Sequence, residues 1–178
     1  MGQLYVDGVT VENCTVDVSE GGLNLQNSTD IKIKNLTVNA TEYGVRAGQS
    51  SGTVNTSNTM TISDSNLNAQ YPVWLRGDAP GTVTINNSVL EPTEDGPMIL
   101  DDANGNVNIT IDGATYVTTE DQLKTALEDS SVSAITLGND IELSDWVVIG
   151  RPVKLDGNNK TIFGVKNNNG PVLHLESD

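Results

Sequence analysis

The sequence predicts an all-β solenoid, a coil of short strands in which each turn stacks on the next, and three observations lead to this fold class. The first is composition: of 178 residues, 36% are hydrophobic, 4% aromatic and 19% charged. Asn, Thr, Gly, Val and Ile crowd the chain, which favours short strands and turns over a helical bundle. The other two observations are repeats of strand-like segments along the chain.

The first repeat is a series of five segments with alternating apolar residues, whose starts are 22, 29, 23 and 24 residues apart. Alternation predicts that the apolar members point inward and the residues between them point outward. Glu12 and Lys34, which follow the first two segments, are therefore expected to be neighbours on the sheet surface. The segments are VTV (9–11), IKI (31–33), MTI (60–62), VTI (83–85) and VNI (107–109), and their last residues should form one inward stack: Val11, Ile33, Ile62, Ile85 and Ile109.

The second repeat begins 14, 14, 13 and 15 residues after its partners in the first four segments. A turn of about 22–24 residues with two or three short strands is typical of a parallel β-helix, whose neighbouring strands lie about 4.8 Å apart. An antiparallel sandwich is the alternative fold. The segments are LNL (23–25), VRA (45–47), VWL (73–75) and MIL (98–100).

A polar residue recurs just after four segments of the first series. Because equivalent residues stack in a solenoid, we expect these residues to form a hydrogen-bonded ladder at one bend, where Asn also tolerates the left-handed conformation. Cys14, which follows the first of them, is expected to be a small buried thiol. The predicted ladder consists of Asn13, Asn35, Asp64 and Asn87.

The last third contains the one convincing helix, from Thr119 to about Asp129. Thr118 or Thr119 can cap it, and one face is apolar through Leu123, Ala126 and Leu127. Strand signals then resume at 135–137, 141–143, 147–149, 153–155, 161–163 and 172–175. The spacings from Ile135 to Val153 and from Val153 to Val172 predict shorter turns of the same coil, with these residues equivalent.

The motifs in this region carry a family resemblance: residues 118–127, ITLGNDIEL (135–143) and VKLDGNNKTI (153–162). They resemble the opening of right-handed parallel β-helix proteins in the pectate-lyase-like superfamily, and adhesin-like bacterial cell-surface proteins within it. The resemblance implies a right-handed coil whose open end is covered by a short amphipathic capping helix. We expect body turns in residues 1–113, and the helix with further turns in residues 114–178.

The opening-like element follows the body-like turns instead of preceding them. The chain is therefore either part of a tandem array or, in effect, a circular permutant of one coil, and the spacing allows both. Either organisation makes end-to-end or tandem self-association an expectation.

The sequence contains few candidate catalytic residues. The resemblance implies that lyases of this superfamily use an acidic calcium cluster with a basic residue, and Asp101 and Asp102 are the weak calcium candidates. His174 is the single histidine, and it falls at an outward strand position, where we expect a surface residue. No other histidine is present to complete a Ser-His-Asp or Cys-His arrangement. We expect no catalysis and no cofactor other than calcium.

The second series offers a candidate binding surface. If Val73 and Leu75 point inward, Trp74 and Arg76 point outward. Stacking places Arg46 and Ile99 on either side of Trp74, and Asp101 beside Arg76. Tyr43 and Tyr71 share one register position at the strand entries, so the group suits a sugar or a protein contact. The alternative is that the 49–58 loop covers Trp74.

The chain carries 24 acidic against 9 basic side chains, a net charge of −15. Such a surface repels phosphate, so we expect no nucleic-acid partner. No apolar run is long enough to span a membrane, and residues 1–18 lack signal-peptide features, so the chain is expected to be part of a longer exported protein. The resemblance implies an extracellular bacterial surface module that binds carbohydrate or protein. A polysaccharide lyase or hydrolase fragment and a purely structural spacer are the alternatives.

Overall fold

A computed structural model of the chain describes residues 6–26, 28–48, 59–77, 80–102, 107–164 and 172–176. The chain divides into two compact units, Met1–Asp112 and Gly113–Asp178. Within each unit, the strand pairings between described residues are parallel. This confirms the predicted β-solenoid and excludes the antiparallel sandwich, and the described strands of the two units make about six turns.

The first unit is built from three stacks of strands. Strands β2 and β5 are long enough to pass through a bend, so each contributes to two stacks: β2–β5–β7–β10–β13 before the bend and β2–β5–β8–β11 after it. The third stack is β3–β6–β9–β12, and β1 pairs with β4. The strands described in this unit are β1 (Val6–Asp7), β2 (Thr10–Asp17), β3 (Leu23–Gln26), β4 (Ser28–Thr29), β5 (Ile31–Asn39), β6 (Tyr43–Gly48), β7 (Met60–Ser63), β8 (Asn66–Ala69), β9 (Tyr71–Arg76), β10 (Gly81–Asn86), β11 (Val89–Pro92), β12 (Ile99–Asp102) and β13 (Val107–Ile111).

The inward stack of the first unit follows the predicted alternation. Val11 pairs with Ile33, which pairs with Ile62, which pairs with Ile85. The three isoleucines are at most 1% exposed, whereas Val11 in the first described turn is half-buried. Glu12 is the register partner of Lys34, which confirms the predicted neighbours.

The fifth member of this stack was predicted wrongly. Ile109 pairs with Val83, and it is Ile111 that pairs with Ile85. Because side chains alternate with a period of two, a slip of two residues keeps Ile109 inward and buried while changing its stacking partner. The same slip adds a member to the ladder, because it brings Asp112 to the bend beside Asn87.

The last strand of the third stack is shifted by one residue. Ile99, not Met98, pairs with Val73, and it is 1% exposed while Met98 is half-buried. A shift of one exchanges the two faces of a strand. The turn at residues 93–98 decides this phase, because it ends with the Met98 carbonyl accepting from the Val73 N–H at 3.2 Å.

The bend carries hydrogen bonds between equivalent side chains. Asn35 Nδ2 donates to Asn13 Oδ1 at 2.9 Å, and Asn87 Nδ2 donates to Asp64 Oδ1 at 2.8 Å. The Asn87 backbone N–H donates to Asp112 Oδ1 at 2.7 Å. All five residues have φ between 47° and 56°, the left-handed region that Asn and Asp tolerate better than other non-glycine residues.

Cys14 is exposed, contrary to the expected buried thiol. It lies in β2, which among the described residues pairs only with β5, so no second turn covers it. Its Sγ donates to the Glu12 carbonyl at 3.1 Å, as the hydroxyls of Ser65 and Ser88 donate to carbonyls two residues earlier. Cys14 therefore makes the same hydrogen bond at its bend that Ser65 and Ser88 make in later turns.

The second unit contains a helix and two turns of coil. Each turn has three short strands, so that β15 pairs with β18, β16 with β19 and β17 with β20, while β14 pairs with the other side of β15. Its elements are β14 (Ala114–Val117), α1 (Glu120–Glu128), β15 (Ala134–Leu137), β16 (Ile141–Leu143), β17 (Val147–Ile149), β18 (Lys154–Asp156), β19 (Ile162–Gly164) and β20 (Leu173–Leu175). No helix among the described residues is long and apolar enough to cross a membrane.

The strand equivalences predicted for the second unit were wrong, one by two residues and the other by its stack. Ile135 pairs with Leu155, not with Val153. Val172 lies next to a different stack, in which Leu173 pairs with Val147. As in the first unit, the alternation correctly separated inward from outward residues, but it did not reveal how many residues each turn contains.

Helix α1 covers one end of this coil, as predicted. Thr119 is the N-cap, and its side chain accepts from the Gln122 N–H. Leu123, Ala126 and Leu127 are buried in one cluster with residues of β14 to β17, including Ile141 and Leu143. The helix thus covers the strands β16 and β17 on the side that faces away from the last turn.

Arg151 fastens the other end of the helix, a contact that the sequence did not reveal. Its Nη2 donates to the Ala126 carbonyl at 2.8 Å and its Nε to the Leu127 carbonyl at 2.9 Å, while Nη1 donates to the Val132 carbonyl. The last carbonyls of a helix lack partners inside the helix and attract cations. Arg151 therefore ties α1 to the coil.

Replacing Ile62 by Ala should lower the free energy of unfolding by about 2–5 kcal/mol, because it leaves a cavity in the middle of the inward stack. Thr61→Ala, at the adjacent exposed position, should change it by less than about 0.5 kcal/mol. Urea unfolding of both variants measures the difference. Equal losses would contradict the assignment of Ile62 to the inward face and of Thr61 to the outward face.

Replacing both Leu123 and Leu127 by Asp should uncover the end of the second coil and cause aggregation or loss of cooperative unfolding. Thr125→Asp, an exposed position of the same helix, is the control for an added charge. Light scattering and thermal unfolding provide the readouts. A monomeric double variant with an unchanged melting transition would contradict the capping role.

Candidate functional site

Six side chains around the outward-facing Trp74 of the third stack form a cluster that we call the aromatic–arginine patch. Its members come from three neighbouring strands of the first unit, β6, β9 and β12. Parallel pairing places Tyr43 beside Tyr71, Arg46 beside Trp74, and Asp102 beside Arg76. The patch consists of Tyr43, Arg46, Tyr71, Trp74, Arg76 and Asp102.

Trp74 is at the centre of the patch. Its neighbours along the strand, Val73 and Leu75, are fully buried, so alternation turns the indole outward, where it is half-buried. The ring centroids of Tyr43 and Tyr71 each lie 5.9 Å from that of Trp74, with interplanar angles of 66° and 54°. These edge-on and tilted contacts are the geometries that aromatic quadrupoles favour.

Two guanidinium groups lie over the aromatic rings. Arg46 Cζ is 4.3 Å from the Tyr43 centroid and 5.3 Å from the Trp74 centroid, and Arg76 Cζ is 5.1 Å from the Trp74 centroid. Cation–π contacts within about 6 Å hold a cation by the electron-rich ring face. Both arginines are therefore positioned by the aromatic rings.

Tyr43 is itself held in place by a glycine. It is 7% exposed, and a Cβ added at Gly21 would come within 2.1 Å of its ring carbon Cζ. Only a residue without a side chain allows this approach. Gly21 is a site determinant that the repeat pattern did not identify, although a glycine in register with the tyrosine is a signal that could have found it.

Because β12 is shifted by one residue, the carboxylate that belongs to the patch is that of Asp102 and not that of Asp101. Trp74 Nε1 donates to Asp102 Oδ2 at 2.8 Å, whereas Asp101 is the register partner of the buried Leu75. Leu100, not Ile99, lies beside Trp74. The predicted positions of Asp101 and Ile99 were therefore wrong, and the other five predicted residues lie together.

The two calcium candidates do not converge on one position. Asp101 and Asp102 are consecutive in β12, so their side chains project from opposite faces of the strand. Within the described part of the chain, no group of three or more His, Cys, Asp or Glu side chains could hold a metal ion. The loop proposed to cover Trp74, residues 49–58, lies outside the described residues.

A second surface lies in the other unit, beside α1. Lys124, Leu127, Glu128 and residues 146–148 line a cavity of about 270 Å³. Trp146, which is 48% exposed, contacts the ring of His174 at a centroid distance of 5.3 Å. His174 Nε2 lies 3.9 Å from Glu176 Oε1, and no nucleophile is described in contact with its ring.

The comparison with protein families matches this second unit. Residues 114–170 match the family model described as "Putative pectate lyase-like adhesive domain". This segment is similar to a pectate lyase-like adhesive domain. A search of curated proteins and a search of solved structures found no match. The matched segment holds the capping helix and the strands β14 to β19, while β20 and the aromatic–arginine patch lie outside it.

Glu120 connects the helix of the adhesive-domain segment to its coil. One carboxylate oxygen, Oε1, accepts from Lys124 Nζ at 2.6 Å, from Ser144 Oγ at 2.7 Å and from the Ser144 N–H at 3.0 Å. These donors, the Lys124 ammonium first, lower the pKa of Glu120 from 4.5 to about 2. The same contact raises the pKa of Lys124.

The stability that Glu120 contributes should depend on pH. Because its pKa is lower in the folded chain, this contribution is complete above pH 4.5 and is lost as the pH falls towards 2. The difference in melting temperature between the wild type and Glu120→Gln should therefore shrink over that range. Glu128→Gln removes the same charge from the same helix and is the control; a difference for Glu120→Gln that stays constant with pH would contradict the assignment.

Proposed function

We propose that this chain is a non-catalytic adhesive module of an extracellular bacterial surface protein, and that the aromatic–arginine patch contacts its ligand, a carbohydrate or a protein. The observation that carries this proposal is the patch itself. Trp74 and two arginines lie on the outward face of strands whose inward residues are fully buried, and two tyrosine rings pack against Trp74. Trp, Tyr and Arg are the residues that most often dominate the energy of binding interfaces.

The similarity of the second unit to an adhesive domain supports the same role from a different part of the chain. The residue inventory agrees with a binding role, because the single histidine lies on β20 next to Glu176 and Trp146. A hydrolytic or lyase mechanism needs a base aimed at a bound substrate. The cavity beside α1 has Lys124 and Glu128 in its lining. Lys124 is engaged in an ion pair with Glu120, which disfavours its use as such a base.

Binding to an array of carbohydrates and to purified host and bacterial surface proteins tests the proposal. Trp74→Ala should weaken the affinity for the ligand by about tenfold or more, since it removes the centre on which the other four side chains pack. Trp146→Ala, the same change in the other unit, is the matched control and should leave the affinity unchanged.

Three results would contradict the proposal. Equal affinity of the wild type and Trp74→Ala would exclude the patch as the binding face. A wild-type chain that binds nothing on either panel would favour a structural spacer. Release of new chain ends from acidic polysaccharides, with or without calcium, would show an enzyme.

A further inference from the structure

The arginines of this chain are distributed unevenly. There are three, and Arg151 is occupied by the carbonyls at the end of α1. The other two, Arg46 and Arg76, both lie over Trp74. A chain with a net charge of −15 thus brings two guanidinium groups together on one face.

These two guanidinium groups stand outside the ion pairs that the described residues form. Within the described part of the chain, ion pairs join Lys32 to Asp30, Lys124 to Glu120 and His174 to Glu176, and none involves Arg46 or Arg76. The Nε of Arg46 is buried and has no hydrogen-bond partner among the described residues. Because this nitrogen is enclosed, a ligand would reach Arg46 through the terminal Nη groups of its half-buried side chain.

The indole of Trp74 is already engaged. Its N–H donates to Asp102, the two guanidinium groups lie over its ring, and the two tyrosine rings pack around it. A sugar that stacks on tryptophan needs a free ring face. The groups left to a ligand are therefore the guanidinium N–H donors, whose planar fork matches a carboxylate.

The two arginines occupy diagonal positions on neighbouring strands. Arg46 pairs with Trp74, and Arg76 lies two residues farther along β9. Diagonal positions of this kind are about 7–8 Å apart. In an extended peptide, residues two positions apart face the same side at a spacing of about 7 Å.

We propose that the aromatic–arginine patch binds an extended acidic peptide segment of a partner protein, in which carboxylates at alternate positions are received by Arg46 and Arg76. This inference rests on the proposed adhesive function and names the ligand class of the same site. The Trp, Tyr and Arg composition of the patch is that of a protein–protein hot spot, and its two guanidinium groups complement the charge of an acidic partner.

The experiment measures binding of the full chain to a synthetic peptide of alternating Glu and Thr by calorimetry at low salt. A peptide of the same composition with Glu and Thr in separate blocks tests the spacing, an alternating Gln–Thr peptide tests the charge, and polygalacturonate presents carboxylates on a carbohydrate. Arg46→Gln with Arg76→Gln is the test variant. Lys32→Gln with Lys34→Gln removes the same charge from exposed positions on another strand of the same unit.

We expect the alternating Glu–Thr peptide to bind more tightly than the other three probes. The double arginine variant should lose about tenfold or more of that affinity, because each lost charge-assisted hydrogen bond is worth about a factor of ten. The double lysine variant should stay within about twofold of the wild type, and added salt should weaken binding. Thermal unfolding of both variants checks that they fold.

Equal losses in the two double variants would overturn the proposal, because the binding would then follow net charge alone. Binding of polygalacturonate but not of the peptide would also overturn it, while leaving an adhesive function with a carbohydrate ligand. If none of the probes bound, the peptide inference would fail alone, provided that Trp74→Ala still weakened binding to a member of the carbohydrate or protein panels.

Discussion

Parallel stacking of successive turns is the constraint on which the rest of this structure depends. Backbone hydrogen bonds join each turn to the next at a strand spacing of about 4.8 Å, so every side chain lies beside its equivalent one turn away. The consequence is visible in the core, where Ile33, Ile62 and Ile85 form one column. It is equally visible outside, where Arg46 lies beside Trp74. The same strand register therefore decides which side chains are neighbours in the core and on the surface.

Bends and ends are the positions at which a stacked coil leaves backbone groups without partners. At the bend, the amide of Asn35 bonds to Asn13 and that of Asn87 bonds to Asp64, each in a left-handed conformation that a coil corner requires. The end of the coil in the second unit is covered in a different way. There α1 supplies an apolar face, and Arg151 satisfies the carbonyls with which the helix ends.

The aromatic–arginine patch combines this geometry with the charge of the chain. Stacking alone would place any residues side by side, but here it places two of the three arginines over one indole. In a protein with 24 acidic and 9 basic side chains, this concentrates two positive charges beside one carboxylate, Asp102. The proposed acidic ligand would complement these two charges. The adhesive similarity of the second unit and the patch of the first unit are thus separate supports for one role.

Alternation and period in the sequence determined which residues point inward, where the coil bends and where the helix lies; Ile62, Asn35 and Leu123 were placed correctly from the sequence alone. Stacking partners were decided only by the tertiary structure, because a slip of two residues leaves an alternating pattern unchanged, as between Val153 and Leu155 beside Ile135. A slip of one residue, set by a turn of unforeseeable length, brought Asp102 instead of Asp101 beside Arg76, where it accepts a hydrogen bond from the Trp74 indole. The contact of Arg151 with α1 was likewise invisible, because the residues it joins are 24 and 25 positions apart and no periodicity relates them.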